Sequence, residues 1–279
     1  MSADIKAIRA RIKSVGSTRH ITKAMELVAS SKIKRATART EQSRFYRTVM
    51  LEAFASLSSA DTAYSRVRDE SLPRLCIIVA GDRGLAGGYN NSIFRTAEAV
   101  LRPQDVILPI GKRSVEHYVG RVNRVISKEF LSCEDMTSDE CSRAAYLIRD
   151  MYDRGELCGV TLISTEYVSV LTQEPRITPL LPLGGSSDKV EGASRTVVEY
   201  EPSAEEVLAA LIPEYIAGVL YSSVCEAFTA ELAARRNAMD SATKNADEML
   251  DELSLKYNQA RQSSITQEIT EIVAGADAG

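Results

Sequence analysis

Apolar residues recur at every third or fourth position through the first fifty residues. This row is formed by Ile5, Ile8, Ile12, Val15, Ala29, Ile33, Ala36, Met50, Phe54 and Leu57. Such spacing predicts a single amphipathic helix over residues 1–60. Between its two parts the row falls on Arg19, Thr22 and Glu26. We therefore expect the apolar seam to weaken there, and this stretch to face something other than its partner helix.

The middle of the chain, residues 70–198, alternates short apolar runs with helical patterns. The predicted strands are Leu75–Ala80, Val106–Ile110, Arg124–Phe130 and Val160–Val168, and the predicted helices are Asn91–Leu101, Ser114–Val119 and Ser138–Tyr152. Alternating strands and helices are typical of a mostly parallel sheet covered by helices. The pattern therefore predicts a small Rossmann-like α/β domain. The Pro-, Gly- and Ser-rich stretch Thr172–Val198 predicts a strand followed by a loose loop.

Helical periodicity returns after Pro202. Ser203 is placed as an N-cap, and Pro213 predicts either a break or the first turn of a second helix. A heptad row then runs through Cys225, Leu232, Met239, Ala246, Leu253 and Ala260.

A helix of this extent is too long for a compact globule. From residue 213 to 273 it would measure roughly 90 Å at about 1.5 Å per residue. A compact chain of this length has a diameter of roughly 50 Å. The helix must therefore project, and its apolar stripe needs the N-terminal helix as an antiparallel partner. The predicted fold class is α/β, a long antiparallel coiled coil of N- and C-terminal helices (1–60 and 203–273) plus the small α/β domain.

Charge is distributed unevenly along the 279 residues. Residues 1–47 hold twelve Lys or Arg against three acidic residues, a surplus of nine positive charges. Because the whole chain carries a net charge of −4, the remainder carries −13. A basic N-terminal helix on an acidic body indicates an acidic partner around that helix.

The residues that carry catalytic or metal chemistry are few. Five scattered cysteines without a C-x-x-C spacing favour reduced thiols, and two histidines argue against a His-based metal site. The glycine-rich segment Gly81–Gly88 follows a strand, but its spacing is not G-x-G-x-x-G, so a tight structural turn is favoured over nucleotide binding. We predict no catalytic residue, no cofactor and no metal.

The chain is expected to stay in the compartment where it is made. Met1–Asp4 is followed by periodic charge rather than an apolar signal core or a transit segment. No uninterrupted apolar run approaches the ~20 residues of a membrane-spanning helix.

Three segments resemble the γ subunit family of F-type ATP synthases. Ser17–Ser30 resembles the opening signature of that family, Asp82–Asn90 its loop after the first strand, and Tyr257–Val273 its closing signature. They occur in the family's order and span the chain. Ala86 departs from the family, which often has Cys at that position. The chain shows neither a presequence nor the inserted cysteine pair that marks light-regulated chloroplast members, which favours a bacterial protein.

The resemblance implies a non-catalytic rotor subunit. In this family the coiled coil occupies the centre of a hexameric ring of α and β subunits, and its base rests on the c-subunit ring beside the ε subunit. It rotates to couple ion flow through the c ring to ATP synthesis or hydrolysis at β. One copy per complex is implied, with no nucleic acid, indirect membrane association, and a peripheral location on the cytoplasmic face of the bacterial inner membrane.

The resemblance also implies contact residues. Lys23 and Met25, with Arg235 on the opposite helix, would face an acidic loop of β. Contacts with a second β loop would come from Arg261, Gln262 and Thr266, and contacts of the foot with the c ring from Tyr200 and Glu201.

Two other functions fit parts of the sequence. A coiled-coil nucleic-acid binder would account for the basic N-terminal helix, although Phe45 and Tyr46 are the only aromatics among its charges. A Rossmann-type enzyme would account for the α/β region and would bind a dinucleotide.

Overall fold

The computed structural model describes residues 2–57, 62–121, 124–183, 201 and 203–277. Its helices are α1 Ser2–Leu57, α2 Tyr89–Glu98, α3 Lys112–Tyr118, α4 Ser138–Asp153 and α5 Ala204–Asp277. Its strands are β1 Arg74–Val79, β2 Val106–Ile110, β3 Gly159–Tyr167 and β4 Gln173–Leu181. Two long terminal helices and a small, mostly parallel sheet confirm the predicted fold class.

The chain divides into two compact units. The first consists of residues up to 30 together with residues from 235 onward, and the second of residues 31–234. Helices α1 and α5 each contribute to both units. The predicted division into 1–60, 70–198 and 203–273 stays a prediction.

In the first unit, α1 and α5 run antiparallel as a coiled coil. Arg9 donates to the Tyr257 hydroxyl at 3.0 Å, and Thr22 shares a hydrogen bond with Thr243 at 2.8 Å. Residues later in α1 therefore contact residues earlier in α5, which is the register of an antiparallel pair. The less exposed α1 positions alternate in steps of three and four, namely Ile5, Ile8, Ile12, Val15, Arg19, Thr22, Glu26 and Ala29. This alternation is the spacing of a coiled-coil seam.

The expected weakening of the seam near Arg19 is wrong. Arg19 forms an ion pair with Asp247, and Thr22 and Thr243 are only 8% and 7% exposed. The seam continues here with polar side chains, because each buried hydroxyl finds its partner on the facing helix. The apolar pattern alone does not reveal that polar match, since the matching residues are over 200 positions apart.

In the second unit, the four strands lie in the order β2-β1-β3-β4. Strand β1 pairs in parallel with β2 and β3, whereas β4 pairs antiparallel with β3. Strand β1 is buried from Leu75 to Val79, as expected for a central strand covered on both faces.

The strand predicted at Arg124–Phe130 is wrong. This segment contributes one isolated bridge, Val125 with Ile107, at the outer edge of β2. Ile107 N donates to Arg124 O at 2.8 Å, and Ile126 N donates to Ile107 O at 3.0 Å. The next residue of β2 facing that edge is Pro109, which has no N–H to donate. The ladder therefore stops after one bridge.

The predicted break at Pro213 is also wrong. Ser203 caps α5 as predicted, since its Oγ accepts from Glu206 N at 3.2 Å, and the helix then runs through Pro213. An interior proline costs about 3 kcal/mol. Its neighbours Ile212 and Ile216 are fully buried in the core of the α/β unit. Burying such side chains contributes about 1.5–3 kcal/mol each, enough to offset the proline.

Helix α5 also contains a window apolar enough, by length and composition, to cross a membrane. Two-thirds (67%) of that window is buried inside the protein. A core helix of a globular unit passes the same test, and the burial favours that interpretation.

Candidate partner-contact surfaces

Lys23 and Met25 lie on α1 beside the polar part of the seam. The Lys23 ammonium is exposed and donates to Glu26 Oε2 at 2.9 Å, while Met25 is half-buried. On the facing helix, Lys244 donates to Asp240 Oδ2 at 2.8 Å. The hydrogen bond from Lys244, with a smaller contribution from Lys23, lowers the pKa of Asp240 below its ordinary value. Both signs of charge are therefore presented here.

Sequence reasoning missed three apolar residues around Met25. Ile21, Leu27 and Val28 are large hydrophobic side chains, and each is more than half exposed. Ile21, Met25 and Val28 are spaced four and three apart, so they lie on one face of α1. The available signal was that these residues fall off the seam positions 19, 22 and 26. A helix presents an exposed apolar face of this kind at an interaction site.

Arg235 is placed differently from the lysine and methionine. It is 7% exposed, while its neighbour Arg236 is more accessible. The structure therefore presents Lys23 to solvent and holds Arg235 largely inside.

Arg261, Gln262 and Thr266 lie together near the end of α5, and all three side chains are exposed. Gln262 and Thr266 are one turn apart and share a helix face. From residue 265 to 274 every side chain is exposed, including four large apolar ones, namely Ile265, Ile269, Ile272 and Val273. This part of α5 therefore carries an apolar surface that α1 does not cover.

Of the two residues expected to contact the c ring, Tyr200 and Glu201, the structure describes one. Tyr200 lies outside the described residues. Glu201 is described and is exposed.

The charge surplus of α1 is partly balanced inside the protein. In the first unit Arg19 pairs with Asp247, and in the second unit Lys32 pairs with Glu134 and Arg44 with Glu226. Exposed cations remain at Lys6, Arg11, Lys13, Lys34 and Arg35. The expected acidic partner therefore has fewer free cations to meet than the sequence suggested.

Two thiols of the α/β unit, Cys76 and Cys141, are buried. Burial raises the pKa of Cys76 to about 11 and that of Cys141 to about 12. Both are therefore protonated thiols at neutral pH, and a thiol is a poor nucleophile. Within the described part of the chain, no group of three or more His, Cys, Asp or Glu side chains is placed to hold a metal ion.

Comparison with known proteins decides among the candidate families. A family model described as ATP synthase matches residues 4–278. A protein of Ruminiclostridium cellulolyticum named ATP synthase gamma chain is 38% identical and covers 100% of this chain and 99% of its own length. One of the same name from Ruminococcus albus is 40% identical over 97% of this chain and 96% of its own length. The chain belongs to the ATP synthase gamma chain family. The prediction of a non-catalytic subunit of that complex is confirmed.

Solved structures support the fold. A chain in the mitochondrial ATP synthase of Euglena gracilis, solved as an OSCP/F1/c-ring assembly, superposes with a TM-score of 0.71 at 17% identity, covering 100% of this chain and 95% of its own. A chain from the Tetrahymena thermophila central stalk and c-ring gives a TM-score of 0.59 at 21% identity, covering 80% and 99%. A further gamma chain relative, from Acetobacterium woodii and 34% identical, is named sodium ion specific.

Proposed function

We propose that this chain is the central-stalk rotor subunit of an F-type ATP synthase. It couples ion flow through the c-subunit ring to ATP synthesis or hydrolysis at the β subunits by rotating inside their ring. The observation that carries this proposal is full-length membership of the gamma chain family, combined with an antiparallel pair of terminal helices whose α5 end is uncovered from residue 265 to 274.

The antiparallel pair suits the transmission of torque. Two helices joined by a continuous seam resist twisting better than one, because each is held by side chains of the other. The polar section at Arg19, Thr22 and Thr243 is satisfied within the pair, so it does not depend on a partner for its hydrogen bonds. The pair can therefore keep its structure while its surroundings change.

Contacts with the β subunits are proposed at two places. Lys23 and Met25, with Arg235 on the opposite helix, would meet one β loop, and the apolar residues Ile21 and Val28 extend that surface. Hydrogen bonds to a charged group contribute about 1.5–3 kcal/mol each. A few such bonds give specificity without holding one angle too firmly.

The second proposed contact is the end of α5. Hydrogen bonds to another β loop would come from Arg261, Gln262 and Thr266. An apolar socket in the ring of α and β subunits would receive the exposed Ile265, Ile269 and Ile272. The match of polar and apolar residues on one exposed segment supports a protein partner there.

The other proposed partners are the c-subunit ring and the ε subunit. Tyr200 and Glu201 are the proposed foot contacts. Membrane association would be indirect, through the c ring, on the cytoplasmic face of the bacterial plasma membrane. One copy per complex follows from a position on the axis of the ring.

Co-expression with α and β subunits tests the proposal. We expect a complex containing three copies each of α and β and a single copy of this chain, measured as an intact mass by native mass spectrometry. Expression of α and β without this chain is the control. Purification of this chain alone, with α and β in the unbound fraction, would count against the proposal.

A truncation tests the second contact. Removing residues 265–279 is expected to weaken coupling or assembly while the α/β unit stays folded, because it removes the three exposed isoleucines that would enter the proposed socket. Burial of one isoleucine contributes about 1.5–3 kcal/mol, so loss of three is a substantial change. ATP-driven ion pumping in reconstituted vesicles is the measurement.

The matched control for this truncation ends after Val273 and keeps all three isoleucines. We expect it to pump like the full chain. Equal pumping rates for both truncated complexes and the full-length complex would refute the role of this segment.

A further inference from the structure

The α/β unit contains the crevice where doubly wound sheets bind ligands. In the order β2-β1-β3-β4, the next strand in the chain, β2, pairs with one edge of β1, and β3 pairs with the other edge. The direction in which strands are added therefore reverses at β1. Ligands of such sheets bind at this switch point, outside the carboxyl ends of the two strands. The glycine-rich loop from Gly81 to Gly88 follows β1 at that end.

Here the crevice is occupied by a side chain of α5. Glu231 is 1% exposed, and its two carboxylate oxygens accept hydrogen bonds from Asp82 N at 3.1 Å and Arg83 N at 3.2 Å. Consecutive backbone N–H groups that converge on one anion form the arrangement by which loops hold phosphates and carboxylates.

The loop is shaped for this close approach. A Cβ at position 81 would lie 2.8 Å from Glu231 Cδ, so a larger residue there would push the carboxylate away from the loop. Gly81 N donates to Asn90 Oδ1 at 2.9 Å, which holds the loop backbone in place. The Asp82 carboxylate in turn accepts from Cys133 N at 2.9 Å, which joins this loop to the segment before α4.

Neighbouring bonds hold α5 against the same edge of the sheet. The Tyr89 hydroxyl donates to Ala227 O at 2.8 Å, one helical turn before Glu231. Arg44 of α1 donates to Tyr167 O, at the carboxyl end of β3, at 2.6 Å and to Glu226 Oε1 at 2.7 Å. Helix α2 and the end of β3 are therefore bonded to the terminal helices, as is the loop after β1.

We infer that the loop after β1 is an anion-binding site whose ligand is built into the chain, the carboxylate of Glu231. The site takes a small carboxylate, and the intact protein keeps it closed to free anions and nucleotides. The internal ligand also fastens the α/β sheet to α5. This assigns a role to the glycine-rich loop that requires neither a nucleotide nor a catalytic group.

Amide-resolved hydrogen exchange on the full chain tests this inference. In Glu231→Ala, the Asp82 and Arg83 amides are expected to exchange about 10- to 100-fold faster, the range for losing a hydrogen bond to a charged group. Amides in the centre of β1 are expected to keep wild-type rates. Added formate is expected to restore protection of the two amides in a saturable way, while chloride at the same ionic strength does not.

Two further variants complete the experiment. Glu231→Gln keeps one carbonyl oxygen, so one amide stays protected and the other exchanges faster. Glu214→Ala removes an exposed carboxylate from the same helix and leaves both amides unchanged.

Three results would overturn the inference. The first is unchanged exchange of the two amides in Glu231→Ala, and the second is formate acting no better than chloride. The third is loss of protection throughout β1 in both Glu231 variants, because a local ligand predicts a local opening.

Discussion

Replacing Asp105 with alanine should destabilise the α/β unit by about 3–5 kcal/mol, the cost of removing one partner from a buried ion pair. The Asp105 side chain is fully buried at the amino-terminal edge of the sheet, between two arginines. It accepts from the backbone N–H groups of Arg74 and Arg102 at 3.0 Å each and from both guanidinium groups. Without the carboxylate, these donors lose their acceptor inside the protein.

Chemical unfolding followed by circular dichroism measures this loss. Asp251→Ala, on an exposed position of α5, is the charge-matched control and should change little. A midpoint for Asp105→Ala equal to that of the control would contradict the prediction.

The same carboxylate makes stability depend on pH. Burial alone would raise the pKa of Asp105, but hydrogen bonds from Arg102 and Arg74 outweigh it and the pKa lies below its ordinary value. The stabilisation is therefore complete above the unfolded pKa of about 3.9 and is lost as the pH falls through the folded pKa. The stability difference between wild type and Asp105→Asn should be constant at neutral pH and shrink below about pH 4.

Gly111→Ala is the second change for which we expect a large effect. Gly111 has φ +86°, and a Cβ there would lie 2.1 Å from the carbonyl oxygen of Ala80 and 3.1 Å from Cys133 Sγ. The backbone of the neighbouring strand end cannot withdraw, because Ala80 N is itself bonded to Ile110 O. Backbone strain and overlap together should cost on the order of 4 kcal/mol.

Gly155→Ala separates the two contributions. Gly155 has φ +72°, but no atom of the described residues lies within 4 Å of the Cβ that alanine would add, so only the backbone strain applies. It should cost about 1–2 kcal/mol. Thermal unfolding of both variants decides the matter, and equal losses would show that the overlap with Ala80 is relieved without cost.

Much of the architecture could be predicted because its signals are local. The three-and-four spacing on α1, the buried run of β1 and the N-cap at Ser203 each depend on residues close together in the chain. Five of the candidate contact residues, Lys23, Met25, Arg261, Gln262 and Thr266, lie in the signature segments, which are also local. The exposure of a contact residue could not be predicted in this way. Arg235 is largely buried and Lys23 is exposed, and one-dimensional spacing does not distinguish the two.

Predictions failed where a distant residue decides the outcome. Pro109 on β2 ends the ladder that Arg124–Phe130 was expected to form, and core burial carries α5 through Pro213. The exposed Ile21 and Val28 could have been found, because they lie off a seam that the sequence already defines.

Periodicity and capping residues were thus sufficient to specify two long helices and an α/β region, since each follows from side chains a few positions apart. The antiparallel pairing of the helices followed from the length of the second one, which is too great for a compact globule. Folding alone decided that Thr22 meets Thr243 and that Glu231 fills the loop after β1. In both cases a buried polar group needs a partner, and that partner is more than a hundred residues away in the chain.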